Sequence, residues 1–244
     1  MKTLVIIPSR LAATRLPGKP LLKINGISII SHVLRRAQEA NIGEVFVATE
    51  DKEILEDVKK NGGQTILTKS NHKTGTDRIY EALQKIDSSN VDFVMNIQGD
   101  EPMLNISDIK RLNNQMIKNK SELGTLASEI SDKRSYDNEN IVKVITKEKL
   151  NNLNFSEAIF FKRKIVNEED NIYHHVGVYC YRLKTLKKFV SFKQSDSEIS
   201  EKLEQLRALD NGIKINVTLA ESSSIGIDTQ EDYVAIKKIM EYKS

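Results

Sequence analysis

Three cations and two carboxylates, set in loops punctuated by proline and glycine, are the residues of this sequence best suited to chemistry. Arg10, Arg15 and Lys19 lie in Pro8-Ser9-Arg10-Leu11-Ala12-Ala13-Thr14-Arg15-Leu16-Pro17-Gly18-Lys19-Pro20-Leu21. A triphosphate needs fixed positive charge and backbone N–H groups, and a loop stiffened by proline supplies both at small ordering cost. The segment is not a Walker loop, because Gly18-Lys19 is followed by Pro20 and not by Ser or Thr. On spacing alone, a surface loop with scattered basic residues explains it equally well. Asp100 stands in Gln98-Gly99-Asp100-Glu101-Pro102 at a strand end. A carboxylate there can hold Mg²⁺, a hard ion that prefers oxygen ligands and bridges to substrate phosphates. The plain alternative is a turn in which Asp100 bonds its own backbone. Asp228, in Gly226-Ile227-Asp228-Thr229, reads by itself as a cap-region residue before the last helix.

Two further clusters are polar enough to bind a ligand. His72-Lys73-Thr74-Gly75-Thr76-Asp77-Arg78 opens a helix, and its hydroxyls and N–H groups can read a base or a ribose. Equally, Thr76 or Asp77 can simply cap that helix. The second cluster pairs His174-His175 with Glu204-Gln205. Adjacent histidines on opposite faces of a strand cannot chelate one ion together. Helical periodicity turns Leu203 and Leu206 inward and leaves Glu204 and Gln205 off the core stripe.

The elements that must position these residues follow from hydrophobic pattern. Leu4-Val5-Ile6-Ile7 is an apolar, β-branched run of the kind covered on both faces in a parallel sheet. Strands are also expected at Glu44–Thr49, Thr65–Thr68 and Val91–Ile97. Helices are expected around Ile29–Ala37, Ile54–Val58 (stopping at Asn61-Gly62), Ile79–Ile86 and Ile109–Met116. This alternation predicts an α/β fold, a doubly wound mostly parallel sheet flanked by helices. Ligands bind beyond the carboxyl ends of strands in such sheets, so the loops after Ile7 and Ile97 are the places to look. The second half is less regular. Gly124–Ile130, Ile141–Thr146, His174–Tyr181 and Lys214–Ala220 read as strands, Ser197–Leu209 as one helix with Ile199, Leu203 and Leu206 inward. A last helix begins near Thr229, with Thr229 and Asp232 spaced as a capping box. Residues 131–140 and 162–172 read as loops.

Composition narrows the possible partners. A length of 244 residues suits one large domain, and 39% hydrophobic residues suffice for a real core. The net charge of +3 is too weak to argue for nucleic acid or a membrane surface. Its distribution says more, because residues 1–38 carry Lys2, Arg10, Arg15, Lys19, Lys23, Arg35 and Arg36 and no acid. Those cations make either a local field for a polyanion or an ordinary solvated face. No apolar run nears the roughly 18 residues needed to cross a bilayer. No signal peptide is expected from the N-terminal residues. With Cys180 the sole cysteine, neither a disulfide nor a cysteine zinc site is available, and the cytoplasm is the expected location.

The motifs together are more specific than any one of them. Ile-Pro-x-Arg…Thr-Arg-Leu-Pro-Gly-Lys-Pro-Leu, then His-x-x-Gly-Thr-Asp-Arg, then Gln-Gly-Asp-Glu-Pro resembles the 3-deoxy-manno-octulosonate (KDO) cytidylyltransferases. His175-Val176-Gly177-Val178-Tyr179, Glu204-Gln205-Leu206-Arg207 and Asp228-Thr229-Gln230-Glu231-Asp232 extend the resemblance over nearly the whole chain. It implies a nucleotide-diphospho-sugar transferase-like fold with a smaller mixed β insertion used for dimerisation. One domain would span 1–244, with a CTP-binding half at 1–125 and a sugar-binding and dimerisation half at 126–244. Arg10, Arg15 and Lys19 would grip the CTP phosphates, Asp100 and Asp228 would hold Mg²⁺, and Thr74, Gly75 and Thr76 would lie near the cytidine. Gln98, His175, Tyr179, Glu204 and Gln205 would bind the acidic sugar. A homodimer is implied, making CMP-KDO for lipopolysaccharide.

Three departures stand against that pattern. Ala13 replaces a usual Ser, Leu11 a usual Tyr, and Ser156-Glu157-Ala158-Ile159-Phe160 stands where Ser-Arg-x-x-Ile-Pro is usual. Glu157 would either pair with an ammonium on an amino-substituted acceptor or point to solvent. A cytidylyltransferase for 8-amino-KDO or a nonulosonate, and a non-catalytic nucleotide-binding protein of the same fold, are the competing functions.

Overall fold

The computed structural model of the chain describes residues 1–12, 15–130, 132–165, 170–221 and 226–242. In chain order they form β1 (Thr3–Ser9), β2 (Lys23–Ile24), β3 (Ile27–Ser28), α1 (Ile29–Ala40), β4 (Gly43–Thr49), α2 (Lys52–Lys60), β5 (Gln64–Leu67), α3 (Gly75–Gln84), β6 (Phe93–Asn96) and α4 (Ile106–Asn119). There follow β7 (Leu123–Ser128), β8 (Lys143–Thr146), β9 (Ser156–Lys162), β10 (Ile172–Arg182), α5 (Leu183–Ser191), α6 (Asp196–Glu201), α7 (Leu206–Asp210), β11 (Ile215–Leu219) and α8 (Gln230–Tyr242). These elements gather into two compact units. The first holds residues 2–91, 95–109 and 224–244, the second residues 1, 92–94 and 110–223. The units do not coincide with the halves 1–125 and 126–244: residues 92–94 and 110–125 fall in the second unit, and the chain from 224 onward returns to the first.

In the first unit β1 is buried at every position, as its unbroken apolar run requires. It pairs in parallel with β4 from Thr3↔Gly43 to Ser9↔Thr49, and β4 pairs in parallel with β5. Gly43 is required by close approach: a Cβ there would sit 1.8 Å from the Thr3 carbonyl oxygen. Helix α1 buries Ile29, Ile30, Val33, Leu34 and Ala37, the stripe expected of a helix laid on a sheet. Its N-terminus is capped by Ser28, whose hydroxyl accepts from the Ser31 N–H. Helix α8 starts with the capping box expected from its sequence. Asp232 N–H donates to Thr229 Oγ1 at 3.2 Å, and Thr229 N–H donates to Asp232 Oδ2 at 2.9 Å.

A small apolar cluster draws the C-terminal segment into this unit. Leu16, Ile24, Ile29, Ile227 and Ile236 are buried together, with Leu22, Met103, Tyr233 and Met240 packed around them. The loop that carries the cations and the residue before Asp228 therefore share one core.

The second unit is built on a mixed sheet, ordered β10-β7-β11-β9-β8. Strand β11 runs parallel to β7, and the β10–β7, β11–β9 and β8–β9 pairs are antiparallel. The order closes on itself, since Ile172–His174 of β10 also pair with β8. Parallel pairing in the first unit and mixed pairing in the second make the fold mixed α/β. Strand β9 and helix α5 are elements that periodicity did not announce.

The single helix expected at Ser197–Leu209 is two. Helix α6 begins with a Ser195/Glu198 capping box and ends where Lys202 turns left-handed, at φ 56°. Ile199 is 59% exposed, not inward, whereas Leu203 and Leu206 are buried as expected. A buried ion pair accounts for the break. Arg207 at the start of α7 donates to both oxygens of Glu198 at 2.7 and 2.5 Å, and its guanidinium stacks 4.8 Å from the Phe189 ring centroid. A continuous helix would carry Glu198 and Arg207 nine residues apart, on separate turns beyond mutual reach. Replacing Arg207 by Met strands a buried carboxylate, and a thermal melt is expected to record about 3–5 kcal/mol of lost stability. The double exchange Arg207→Met with Glu198→Gln should recover part of it, and equal losses in both variants would refute the pairing as the cause.

Candidate functional site

Residues from four segments of the first unit line a half-open cavity of about 360 Å³. The end of β1 delivers Pro8, Ser9 and Arg10, and the loop beyond it turns back through defined bonds. Leu11 N–H donates to Asp51 Oδ2 at 2.7 Å, and Gly18 N–H to the Leu11 carbonyl at 3.4 Å. Leu16 anchors the loop in the apolar cluster, and Gly18, at φ 69°, makes the left-handed turn that starts a short 3-10 segment at Lys19. The turn after β6 lies against β1 for a steric reason. A Cβ on Gly99 would come within 2.9 Å of the Pro8 carbonyl oxygen and 3.2 Å of Ile30 Cδ1, so only glycine lets Gln98 and Asp100 reach the cavity.

The charged groups meet at one end. Lys19 Nζ donates to Asp100 Oδ2 at 2.8 Å and to Asp228 Oδ1 at 3.3 Å. Arg15 Nη2 lies 3.0 Å from Asp228 Oδ2. Asp228 is brought there by the backbone, since the N–H of Ile227 donates to the Asp100 carbonyl at 2.9 Å. Read alone as a cap-region residue, Asp228 instead leaves the capping to Thr229 and Asp232 and turns its side chain to the cations. Two carboxylates this close repel each other, and the two cations offset that repulsion.

The remaining first-unit candidates divide. Thr74 and Gly75 line the cavity, and Thr74 is the N-cap of α3, accepting from the Asp77 N–H at 3.2 Å. The cap therefore falls on neither Thr76 nor Asp77. Thr76 is buried within the helix and does not line the cavity. Gln98 lines it, with its amide 3.5 Å from Asn96 Oδ1. Arg78 also lines the cavity, and its guanidinium is tied to Glu50 at 2.5 Å and to Thr68 at 2.6 Å. Leu11 is half-buried and Ala13 lies outside the described residues.

His175, Tyr179, Glu204 and Gln205 belong to the second unit and do not line this cavity. The rings of His175 and Tyr179 lie 5.4 Å apart, and Phe161 meets His175 edge-on at 5.1 Å. A bulge makes that pairing, because β10 jumps from Val176↔Leu126 to Tyr179↔Thr125 and leaves Gly177 and Val178 between. Thr125 secures the bulge. Its hydroxyl donates to the Val178 carbonyl at 2.7 Å, so the His175 Nε2–H donates to it at 3.0 Å. Burial, reinforced by neighbouring His174, pushes the His175 imidazole down to about 3. It is a neutral ring at working pH. Glu204 and Gln205 sit together at the start of α7, with Glu204 3.7 Å from Arg207. Glu157 pairs with exposed Lys214 at 3.3 Å across the β9–β11 edge.

Sequence patterns did not single out Asp51, Thr125 or Ile227. Asp51 follows a parallel strand and could have been found by its place there; Thr125 and Ile227 read as ordinary strand and loop residues. Among the described residues no three acidic, histidine or cysteine side chains cluster as a metal site, and no helix is long and apolar enough to cross a membrane.

A cytidylyltransferase family model matches residues 4–215. A relative from Afipia carboxidovorans named 3-deoxy-manno-octulosonate cytidylyltransferase is 42% identical over 98% of this chain and 96% of its own length. One of the same name from Rhodopseudomonas palustris (strain BisB5) is 43% identical over 98% and 97%. This chain belongs to the 3-deoxy-manno-octulosonate cytidylyltransferase family. A solved structure of CMP:2-keto-3-deoxy-manno-octonic acid synthetase complexed with CTP superposes with a TM-score of 0.91 at 33% identity, covering all of both chains. The fold of this family member is accordingly the mixed α/β nucleotidyltransferase type.

The neutral state of His175 has a measurable consequence. Its folded pKa lies below the value of about 6.5 in the unfolded chain, so the unfolded state binds the extra proton and stability falls as pH drops through 6.5. Between pH 7 and 5 this amounts to about 2 kcal/mol. The melting temperature of His175→Gln should decline less over that interval than that of the wild type. Parallel declines would show that His175 does not carry the acid sensitivity.

Proposed function

We propose that this protein transfers CMP from CTP to KDO, releasing pyrophosphate and supplying CMP-KDO for lipopolysaccharide synthesis. The observation that carries the proposal is the convergence of Asp100, Asp228, Lys19 and Arg15 at one end of a cavity sized for a small ligand. Arg10, Arg15 and Lys19 bind the triphosphate, the Thr74-Gly75 edge lies beside the nucleoside with Thr76 supporting it from within α3, and Gln98, which lines the same cavity, binds the sugar acid. His175, Tyr179, Glu204 and Gln205 bind the sugar acid. KDO is the acceptor supported by the names of relatives about 40% identical to this chain, and Glu157 pairs with exposed Lys214 at the β9–β11 edge.

Asp100 and Asp228 suit a magnesium ion. Both reach the same ammonium, so their oxygens face a common point, and Mg²⁺ is commonly held by one or two carboxylates plus substrate phosphates. When bound there, the ion supplies phosphate charge neutralisation and lowers the pKa of a hydroxyl that it touches. The side chains do the rest by placement. Lys19 and the arginines neutralise and hold the phosphates so that the anomeric hydroxyl of the sugar meets the α-phosphorus in line with the departing pyrophosphate. Such transfers depend on positioning and charge more than on a strong base. We further propose that the enzyme works as a cytoplasmic homodimer, joined through the second unit, with no nucleic acid or membrane partner.

Pyrophosphate release from CTP and Mg²⁺ is expected to require KDO, to stop on chelation, and to fall by at least about 10²-fold in Asp100→Ala. Release with 8-amino-KDO or a nonulosonate but not with KDO would reassign the acceptor. CTP binding without turnover on any of them would overturn catalysis in favour of a nucleotide-binding protein.

A further inference from the structure

Two side chains on α3 and that of its C-cap residue, Lys85, grip the segment that leads into that helix. Arg78, Glu81 and Lys85 stand three and then four residues apart, so they share a face. Lys85 Nζ donates to the Leu67 carbonyl at 2.7 Å. Arg78 donates to Thr68 Oγ1 at 2.6 Å and to the Lys69 carbonyl at 3.3 Å. Glu81 accepts the Lys69 backbone N–H at 3.0 Å and is bonded to His72 Nε2. Lys85 also reaches Glu81 at 2.7 Å. Residues 68–74 form neither helix nor strand, so their shape depends on these side-chain bonds. Downstream of the grip, His72, Lys73 and Thr74 form one wall of the cavity.

Glu81 is the member of this face that holds His72 itself. Its side chain is only 12% exposed. Burial alone would raise its pKa, but the bonds from Lys85, the Lys69 N–H and His72 outweigh that and hold it at about 2. It is therefore an ionised group that only accepts, so the bonded nitrogen of His72 carries the hydrogen and the ring is locked in orientation.

We propose that Glu81 is a positioning residue for nucleotide binding, holding His72, Lys73 and Thr74 in the shape of the cavity wall without touching the nucleotide. The proposal rests on the reading of this cavity as the CTP site. A segment ordered before binding need not be ordered by the ligand, so the loss of Glu81 weakens affinity and leaves the chemical step alone.

Calorimetric titration with CTP, steady-state kinetics and hydrogen exchange test it on the full chain. Glu81→Ala is expected to weaken CTP binding by about tenfold with kcat within about twofold, and to speed exchange at residues 68–74 alone. Glu81→Gln, whose amide oxygen still accepts the Lys69 N–H, should recover part of the affinity. Lys85→Met, which removes the bonds to Leu67 and Glu81 but leaves those to Lys69 and His72, should weaken CTP binding less than Glu81→Ala does. Normal CTP affinity in Glu81→Ala overturns the proposal, as does weakened affinity with exchange raised throughout the chain. If the wild type itself binds no CTP, the reading of the cavity fails and the role of Glu81 fails with it; normal wild-type binding with an unaffected variant fails the role of Glu81 alone.

Discussion

The return of the chain at Ile227 is the constraint on which the first unit depends. Its side chain is fully buried with Leu16, Ile24, Ile29 and Ile236, and its N–H donates to the Asp100 carbonyl. Burying one such side chain is worth about 1.5–3 kcal/mol. Exposed ion pairs contribute about 1 kcal/mol or less each. Apolar contact therefore outweighs the exposed Arg15–Asp228 pair in bringing Asp228 beside Asp100, and the less exposed Lys19 pairs add to it. The charges then arrange themselves within a frame already made: Lys19 between the carboxylates, Arg15 on the outer side of Asp228. A polar site assembled in this way is preorganised, which is what transfer of a charged group requires.

Backbone proximity completes the frame. Gly99 lets the turn after β6 rest on Pro8, and Gly75 lets α3 begin close to the same residue, where a Cβ would lie 3.3 Å from Pro8 Cγ. Both glycines matter for the space they leave, since neither is held at positive φ. The carboxyl ends of β1 and β6 and the start of α3 are thus drawn into one cavity wall, the location expected for a ligand in a sheet with parallel strands. In the second unit the equivalent organiser is Thr125, a buried hydroxyl that holds the β10 bulge and orients a neutral His175.

Much of the architecture was legible in the residues. Leu4–Ile7, Ile29–Ala37 and Val91–Ile97 have one dominant period each and bury a face wherever they fold, so local pattern sufficed. The capping box at Thr229 was legible for the same reason, being a contact within one turn. Ser197–Leu209 misled because its helical period is genuine, yet the Glu198–Arg207 pair and a left-handed Lys202 divide it. Strand β9 escaped notice because Glu157 and the two phenylalanines blur its alternation.

The candidate site divides along the same line. Sequence by itself determined which residues have the right chemistry and, through the order of their motifs, the family that this chain belongs to. Tertiary structure alone decided that Asp100, Asp228, Lys19 and Arg15 meet, that Thr74 and not Thr76 caps α3 and lines the cavity, and that Arg78 lines it while paired with Glu50 and Thr68. Residue type and short-range spacing are properties of the local chain. Which distant side chains become partners depends on how buried apolar surfaces such as Leu16 and Ile227 find each other, and that information resides in the packed molecule.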